Sequence, residues 1–130
     1  MTISVNDGKV TPQAHVFSQD REQNGSQSAL FVNRVGTAGP MGWETIEESV
    51  TLAKNAGGDH VRRSVLKVPK IGTKDGAPYV IGSVRYFLTR ASSQGCSSED
   101  DLADADAIAA NWLANVTVKP LSKKLAPIVG

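Results

Sequence analysis

The hydrophobic period of this chain changes once, and that change limits the possible folds more than any single residue does. Ile46, Val50 and Leu52 alternate with Thr45, Ser49, Thr51 and Ala53, a period of two. The stretch from Val80 to Arg90 repeats it, with Val84, Tyr86 and Leu88 on one face and Ser83, Arg85, Phe87 and Thr89 on the other. A half-buried strand needs this pattern, because successive side chains point to opposite sides of a sheet. Past Ser92 the spacing becomes three and four. Leu102, Ala105, Ile108 with Ala109, Trp112 and Val116 then line one side of a helix. Strands first and helices last predict an α+β domain with the helices on one face of an antiparallel sheet.

The turn residues divide the strand region. Thr2–Val5, then Asn6-Asp7-Gly8, then Val10 onward predicts an N-terminal β-hairpin within residues 1–22. His15-Val16-Phe17 and Ala29–Val32 are short β-rich runs separated by Gln23-Asn24-Gly25-Ser26, and Thr37–Gly42 reads as loop. Asn55–Asp59 turns the chain; Val65, Leu66 and Val68 form a strand that Pro69 should end; Gly72–Pro78 reads as a loop. The expectation is a single domain over 1–130: the hairpin, a five-stranded antiparallel meander over 28–90, and two helices over 97–130. Ser98 is placed to cap the first helix, with Glu99, Asp100 and Asp101 at the positive end of its dipole. Pro120 suits the first residue of the second, whose apolar pair is Leu121 and Leu125 and which Pro127 should end.

Five strands about 4.8 Å apart make a sheet roughly 24 Å wide. One helix covers about 10 Å of that width. One long helix and one short one therefore leave apolar surface bare, and a symmetric partner is the simplest cover. The expected state is an obligate homodimer whose helices pack across the partner.

Composition removes several classes. With 40% hydrophobic and 21% charged residues and 12 glycines in 130, the chain is neither disordered, collagen-like nor a coiled coil. It has no apolar run of membrane-spanning length, and its N-terminus lacks the pattern of a secretory signal, so neither membrane nor export is expected. Cys96 is the one cysteine, which excludes an internal disulfide and suits a reducing compartment. The net charge is only +1, but it is unevenly spread. Lys54 to Arg90 holds eight cations against Asp59 and Asp75, a net of +6, whereas Cys96–Ala107 holds five anions and no cation. One side of such a protein can face a polyanion.

Catalytic patterns are missing. His15 and His60 stand apart in sequence, no CxxC or HxxxH occurs, and no phosphate-binding or nucleophile-elbow motif is present. No catalytic residue, metal or cofactor is expected. The residues with a message are on the strands: Arg63 and Lys67 alternate onto one face, Ser83 and Arg85 onto one face of the next strand, with Thr51 alongside and Asn55 at the turn. If those faces coincide, guanidinium, ammonium and hydroxyl groups project together, which suits phosphate contacts.

The order of elements resembles the coat proteins of the small single-stranded RNA bacteriophages, the levivirus-like group. The stretches that carry the resemblance are Glu48–Lys54, Arg62–Lys70, Ser83–Arg90, the helical run from Ser98 to Ala114, and Pro120 to Pro127. The resemblance implies dimers whose sheets join edge to edge and assemble into an icosahedral shell, usually T=3, with the sheet facing packaged RNA. It also implies that Gly72–Pro78 is the loop gathered around symmetry axes. Members of the group bind a hairpin of their own genome and so repress translation. Thr51 keeps the family's hydroxyl and Lys67 stays cationic. Ala53 stands where serine is often used, Val65 where a lysine often sits, Ser83 where a stacking tyrosine is common, and Arg85 where a short polar residue is usual. The turn at Asn55–His60 is also shorter. The implied RNA-binding set is Thr51, Asn55, Arg63, Lys67, Ser83 and Arg85, with altered or weak recognition of a specific hairpin. The implied location is the virion, assembled in the host bacterial cytoplasm. The rival readings are a dimeric RNA-binding regulator that never assembles, and a small enzyme using Cys96 or the acidic helix start.

Overall fold

The computed structural model describes residues 1–124, apart from the side chains of 121–123. Its elements are β1 (Thr2–Asn6), β2 (Ala14–Arg21), β3 (Ala29–Asn33), β4 (Glu44–Thr51), β5 (Asp59–Lys74), β6 (Ala77–Ser93), α1 (Glu99–Ala114) and α2 (Val118–Lys123), with short 3-10 turns at Gly39–Gly42 and Gln94–Cys96. The chain divides into two units, Met1–Leu52 with Val61–Ala91, and Ala53–His60 with Ser92 onward.

In the first unit, the expected separate hairpin and meander form one sheet of six strands in chain order, and the meander contributes four of them (β3–β6) rather than the expected five. The hairpin is absorbed because β2 pairs with β3 through Ser18↔Val32 and Gln19↔Phe31, so the sheet rather than water satisfies its backbone groups. The hairpin also has a longer connection than expected, since β2 starts at Ala14. Asp7 organises that connection by accepting the backbone N–H groups of Lys9 and Gln13.

Two further expectations are corrected. Pro69 lies inside β5 rather than ending it. It falls beyond the last β4 pair, Thr45↔Lys67, where its missing N–H removes no β4 bond. The expected Gly72–Pro78 loop is mostly strand: β5 and β6 are joined by Asp75 and Gly76 alone, with φ of 50° and 76°. Positive φ at both central residues matches the right-handed twist of a two-residue hairpin, which Asp-Gly adopts readily.

The core lies on one face of the sheet. Phe31 pairs with Ile46 and Ile46 with Leu66, which makes a cross-strand row, and Phe17 and Ala29 complete the cluster. Phe17, Ala29 and Phe31 are buried there, and Val32, paired with Thr45, is buried on the opposite face. The aliphatic and aromatic side chains of β6 are exposed, Val84 at 61% and Phe87 at 66%.

In the second unit, the chain reverses through Gly57 at φ 87°, with Gly58 N–H bonded to the Asn55 carbonyl at 3.1 Å. α1 starts as its cap predicts: Ser98 Oγ accepts from Asp101 N–H at 3.2 Å, and Glu99, Asp100 and Asp101 fill the first turn. Its apolar stripe is not buried, however, and Trp112 is 56% exposed. α2 begins at Val118, two residues before Pro120, because Asn115 closes α1 and its carbonyl accepts from Lys119 N–H at 2.9 Å. Leu125 and Pro127, expected to finish the second helix, lie outside the described residues.

Candidate nucleic-acid interface

Strand register fixes which cations share a surface. Thr51 pairs with Val61, Ser49 with Arg63, Glu47 with Val65 and Thr45 with Lys67. Partners across an antiparallel pair point the same way, so Thr45, Ser49, Thr51, Arg63 and Lys67 stand on one face of β4–β5. Ile46 and Leu66 stand on the other. Thr51, Arg63 and Lys67 thus share the face opposite the core, as the alternation predicts.

The same alternation splits the basic window. Arg62 points to the core side, where it pairs with Glu48, whose second oxygen accepts from Ser64 Oγ at 2.7 Å. Its charge is spent there, so the +6 of the window does not reach one surface. Glu47 enters the opposite face between Arg63 and Lys67, a carboxylate missing from the expected set. The signal for it was present, because Glu47 lies between Thr45 and Ser49 in the same period of two. Two cations flanking one anion, with hydroxyls at 45, 49 and 51, make a mildly basic, hydrogen-bonding strip. Such a strip can hold phosphates by charge and by hydroxyl bonds without reading base sequence.

Ser83 and Arg85 alternate onto a common side of β6, and Arg85 Nε donates to Ser83 Oγ at 3.3 Å. Asn55 lies in the connection between β4 and β5, in the other unit. There its backbone carbonyl also accepts from Gln94 Nε2 at 2.8 Å. His60 is structural: its Nδ1 accepts from Ala53 N–H at 3.0 Å and closes the same turn.

The far end of this face is held by charge. Arg34 bridges both oxygens of Asp20, at 2.7 and 2.6 Å, and lies over the Trp43 ring at 5.0 Å. A stacked, paired guanidinium positions Trp43 at the start of β4. A cleft of about 430 Å³ is lined by Val35–Ala38, Gly42, Glu44 and Pro69–Ile71. Among the described residues no group of His, Cys, Asp and Glu is arranged to hold a metal ion, and no helix is long and apolar enough to cross a membrane.

No protein-family model matches the sequence, and no curated protein matches it. The three-dimensional comparison is different. The virus-like particle of bacteriophage NT-214 matches with a TM-score of 0.85 at 19% identity, over 98% of this chain and 97% of that one. The virus-like particle of Beihai levi-like virus 21 matches with a TM-score of 0.84 at 12% identity, over 99% and 97%. The capsid protein of bacteriophage GA matches with a TM-score of 0.63 at 13% identity, over 98% and 95%. Coverage is nearly complete on both sides of each pair, and what is shared at such low identity is the arrangement of elements, so the fold of this chain is that of the levivirus-like bacteriophage coat proteins.

Proposed function

We propose that the chain is a structural capsid subunit: it dimerises, builds an icosahedral shell and encloses single-stranded RNA, without catalysis. The observation that carries this reading is β6. Seventeen residues at about 3.3 Å each make an edge roughly 56 Å long. It has β5 on one side and, among the described residues, no strand on the other. A long apolar edge is an invitation to pair, and proteins that remain single shorten, charge or cover such strands. A second copy pairing β6 with β6 about a two-fold axis satisfies both edges at once. The exposed stripe of α1 gives the same copy a second surface to cover. The fold likeness to phage particles supports assembly beyond the dimer.

The RNA side of the proposal rests on the Thr51, Arg63 and Lys67 face, with Ser83, Arg85 and Asn55 as further contacts. Binding there is electrostatic and weakly selective, and translational repression through one RNA hairpin would act through the same residues. The virion is the proposed location, with assembly in the host cytoplasm.

Electron microscopy and size-exclusion chromatography of the expressed full chain test the shell. Closed particles are the expected result. A species of about 27 kDa, twice the 13.7 kDa chain, would replace the shell with the regulator reading, and a monomer would end both. For the RNA face, Arg63→Ala with Lys67→Ala should lower nuclease-protected RNA while particles still form. It should also flatten the salt dependence of RNA binding by about 0.7 per lost phosphate contact. Unchanged RNA content would remove this face from the proposal.

A further inference from the structure

Four polar side chains meet at one end of the core face, away from the strip described above. His15 on β2 has Nδ1 2.7 Å from Glu44 Oε2 on β4, and its Nε2 lies 3.6 Å from Asp7 Oδ2 in the β1–β2 connection. Asn33 Nδ2 on β3 donates to the same Glu44 oxygen at 2.9 Å. Glu44 is 7% exposed. Asp7 is held firmly: its Oδ1 accepts from Lys9 N–H at 3.2 Å and Gln13 N–H at 3.0 Å, and Oδ2 lies 3.0 Å from Lys9 Nζ. The charged groups around His15 are therefore Asp7 and Lys9 from the connection and Glu44 from β4. β3 contributes Asn33 and β1 the cross-strand partner Val5, both uncharged.

The chemistry of this cluster depends on one proton. An ionised Glu44 can only accept, so His15 Nδ1 carries a hydrogen and donates to it. In the neutral ring, Nε2 then turns a lone pair toward the Asp7 carboxylate. In the protonated ring, Nε2–H faces that carboxylate with opposite charge. Gain or loss of a proton thus reverses the sign of the His15–Asp7 contact and leaves the His15–Glu44 bond in place.

We propose that His15 is a proton-operated latch between the Asp7–Gln13 connection and the β3–β4 pair, closed when the ring is charged and released when it is neutral. The proposal is independent of the capsid reading. The hydrogen bond to Glu44 holds the His15 pKa above its ordinary value, against the opposing effect of burial. The Gln13 N–H, followed by the Lys9 groups, holds the Asp7 carboxyl well below the usual range, again against burial. The signs follow from linkage. A raised histidine contributes stability that is complete below about pH 6.5 and disappears as pH rises through the higher folded value. A depressed carboxyl contributes stability that is present above about pH 4 and disappears only as pH falls through the lower folded value. The connection is tightest between those limits and loosens on the alkaline side.

Amide hydrogen exchange of residues 7–13 in the full chain tests this, followed by mass spectrometry between about pH 5.5 and 8.5 and expressed as protection relative to the free peptide. Exchange of the His15 ring C2 proton gives the titration of that group in the same samples. Protection should fall by about tenfold for each unit by which contact with Asp7 raises the ring's pKa, and the fall should be complete as the ring finishes its own titration. His15→Gln, whose amide can still donate to Glu44, should lose the step. Asp7→Asn keeps an Oδ1 acceptor for Lys9 and Gln13; it should leave the ring titrating but abolish the change in protection. A step that survives in either variant, or flat protection in the parent chain while His15 titrates, overturns the latch.

Discussion

β3 and β6 belong to the same sheet, both carry large apolar side chains, and they meet opposite fates. Every residue of β3 is buried or half-buried. In β6 all but Ser83, Arg90 and Ser92 are exposed. Phe31 is 7% exposed and Phe87 66%. For a ring of roughly 200 Å² that difference is about 120 Å², or about 3 kcal/mol of burial not realised within the chain. β3 has β2 and β4 on its two sides, whereas β6, among the described residues, has a strand on one side, β5. Hydrophobicity thus measures how much cover a strand needs, and position in the sheet decides whether the same chain can provide it.

The sharpest way to break this contrast is to remove one buried ring and one bare ring. Phe31→Ala should cost about 3–5 kcal/mol in urea denaturation, because it opens a cavity among Phe17, Ala29 and Ile46. That cost should not depend on protein concentration. Trp112→Ala is the bare counterpart. If a second copy covers the α1 stripe, the loss approaches the same size, and it appears as a denaturation midpoint that rises with protein concentration in the parent and less so in the variant. A loss under about 1 kcal/mol at every concentration would mean that the ring stays in water and that the partner covers β6 alone.

Much of this was legible in the sequence because the alternation is strict. The face of Arg63 and Lys67 and the Ser98 cap both follow from local spacing. The errors have a common origin. By residue type Pro69 and the Gly72–Pro78 stretch look like interruptions, but whether a proline or a glycine ends a strand depends on which neighbour lies beside it. That is tertiary information. The same holds for the extent of the sheet, since nothing local in Thr2–Asn6 says that its hairpin joins β3. Trp112 was expected in a contact with the sheet because its spacing is that of a buried stripe, and spacing does not reveal whether the cover comes from the same chain. Within the site, Arg62 and Arg63 look equivalent in sequence. Alternation sends them to opposite faces, but only the ion pair with Glu48 shows that the Arg62 guanidinium is neutralised while Arg63 faces outward.

The smallest expected effects offer the finest test, because two glycines of the β5–β6 hairpin differ only in what surrounds them. A Cβ at Gly72 would come within 2.9 Å of Ile81 Cδ1 and 3.0 Å of Tyr79 Cε1. Ile81 is exposed and its terminal methyl can yield, so Gly72→Ala should cost about 1 kcal/mol, the low end for overpacking, whatever the oligomeric state. A Cβ at Gly82 meets nothing within 4 Å in this chain. Its backbone is also free of the left-handed conformation, so Gly82→Ala should stabilise the separated subunit by roughly 0.5 kcal/mol through the unfolded state. Measured instead on the assembled protein, the second substitution reports on space that this chain leaves empty. A gain of the same size there means that no partner atom reaches residue 82. A loss places partner atoms over the face of β6 at residue 82, because a Cβ stands out of the sheet plane rather than along its edge.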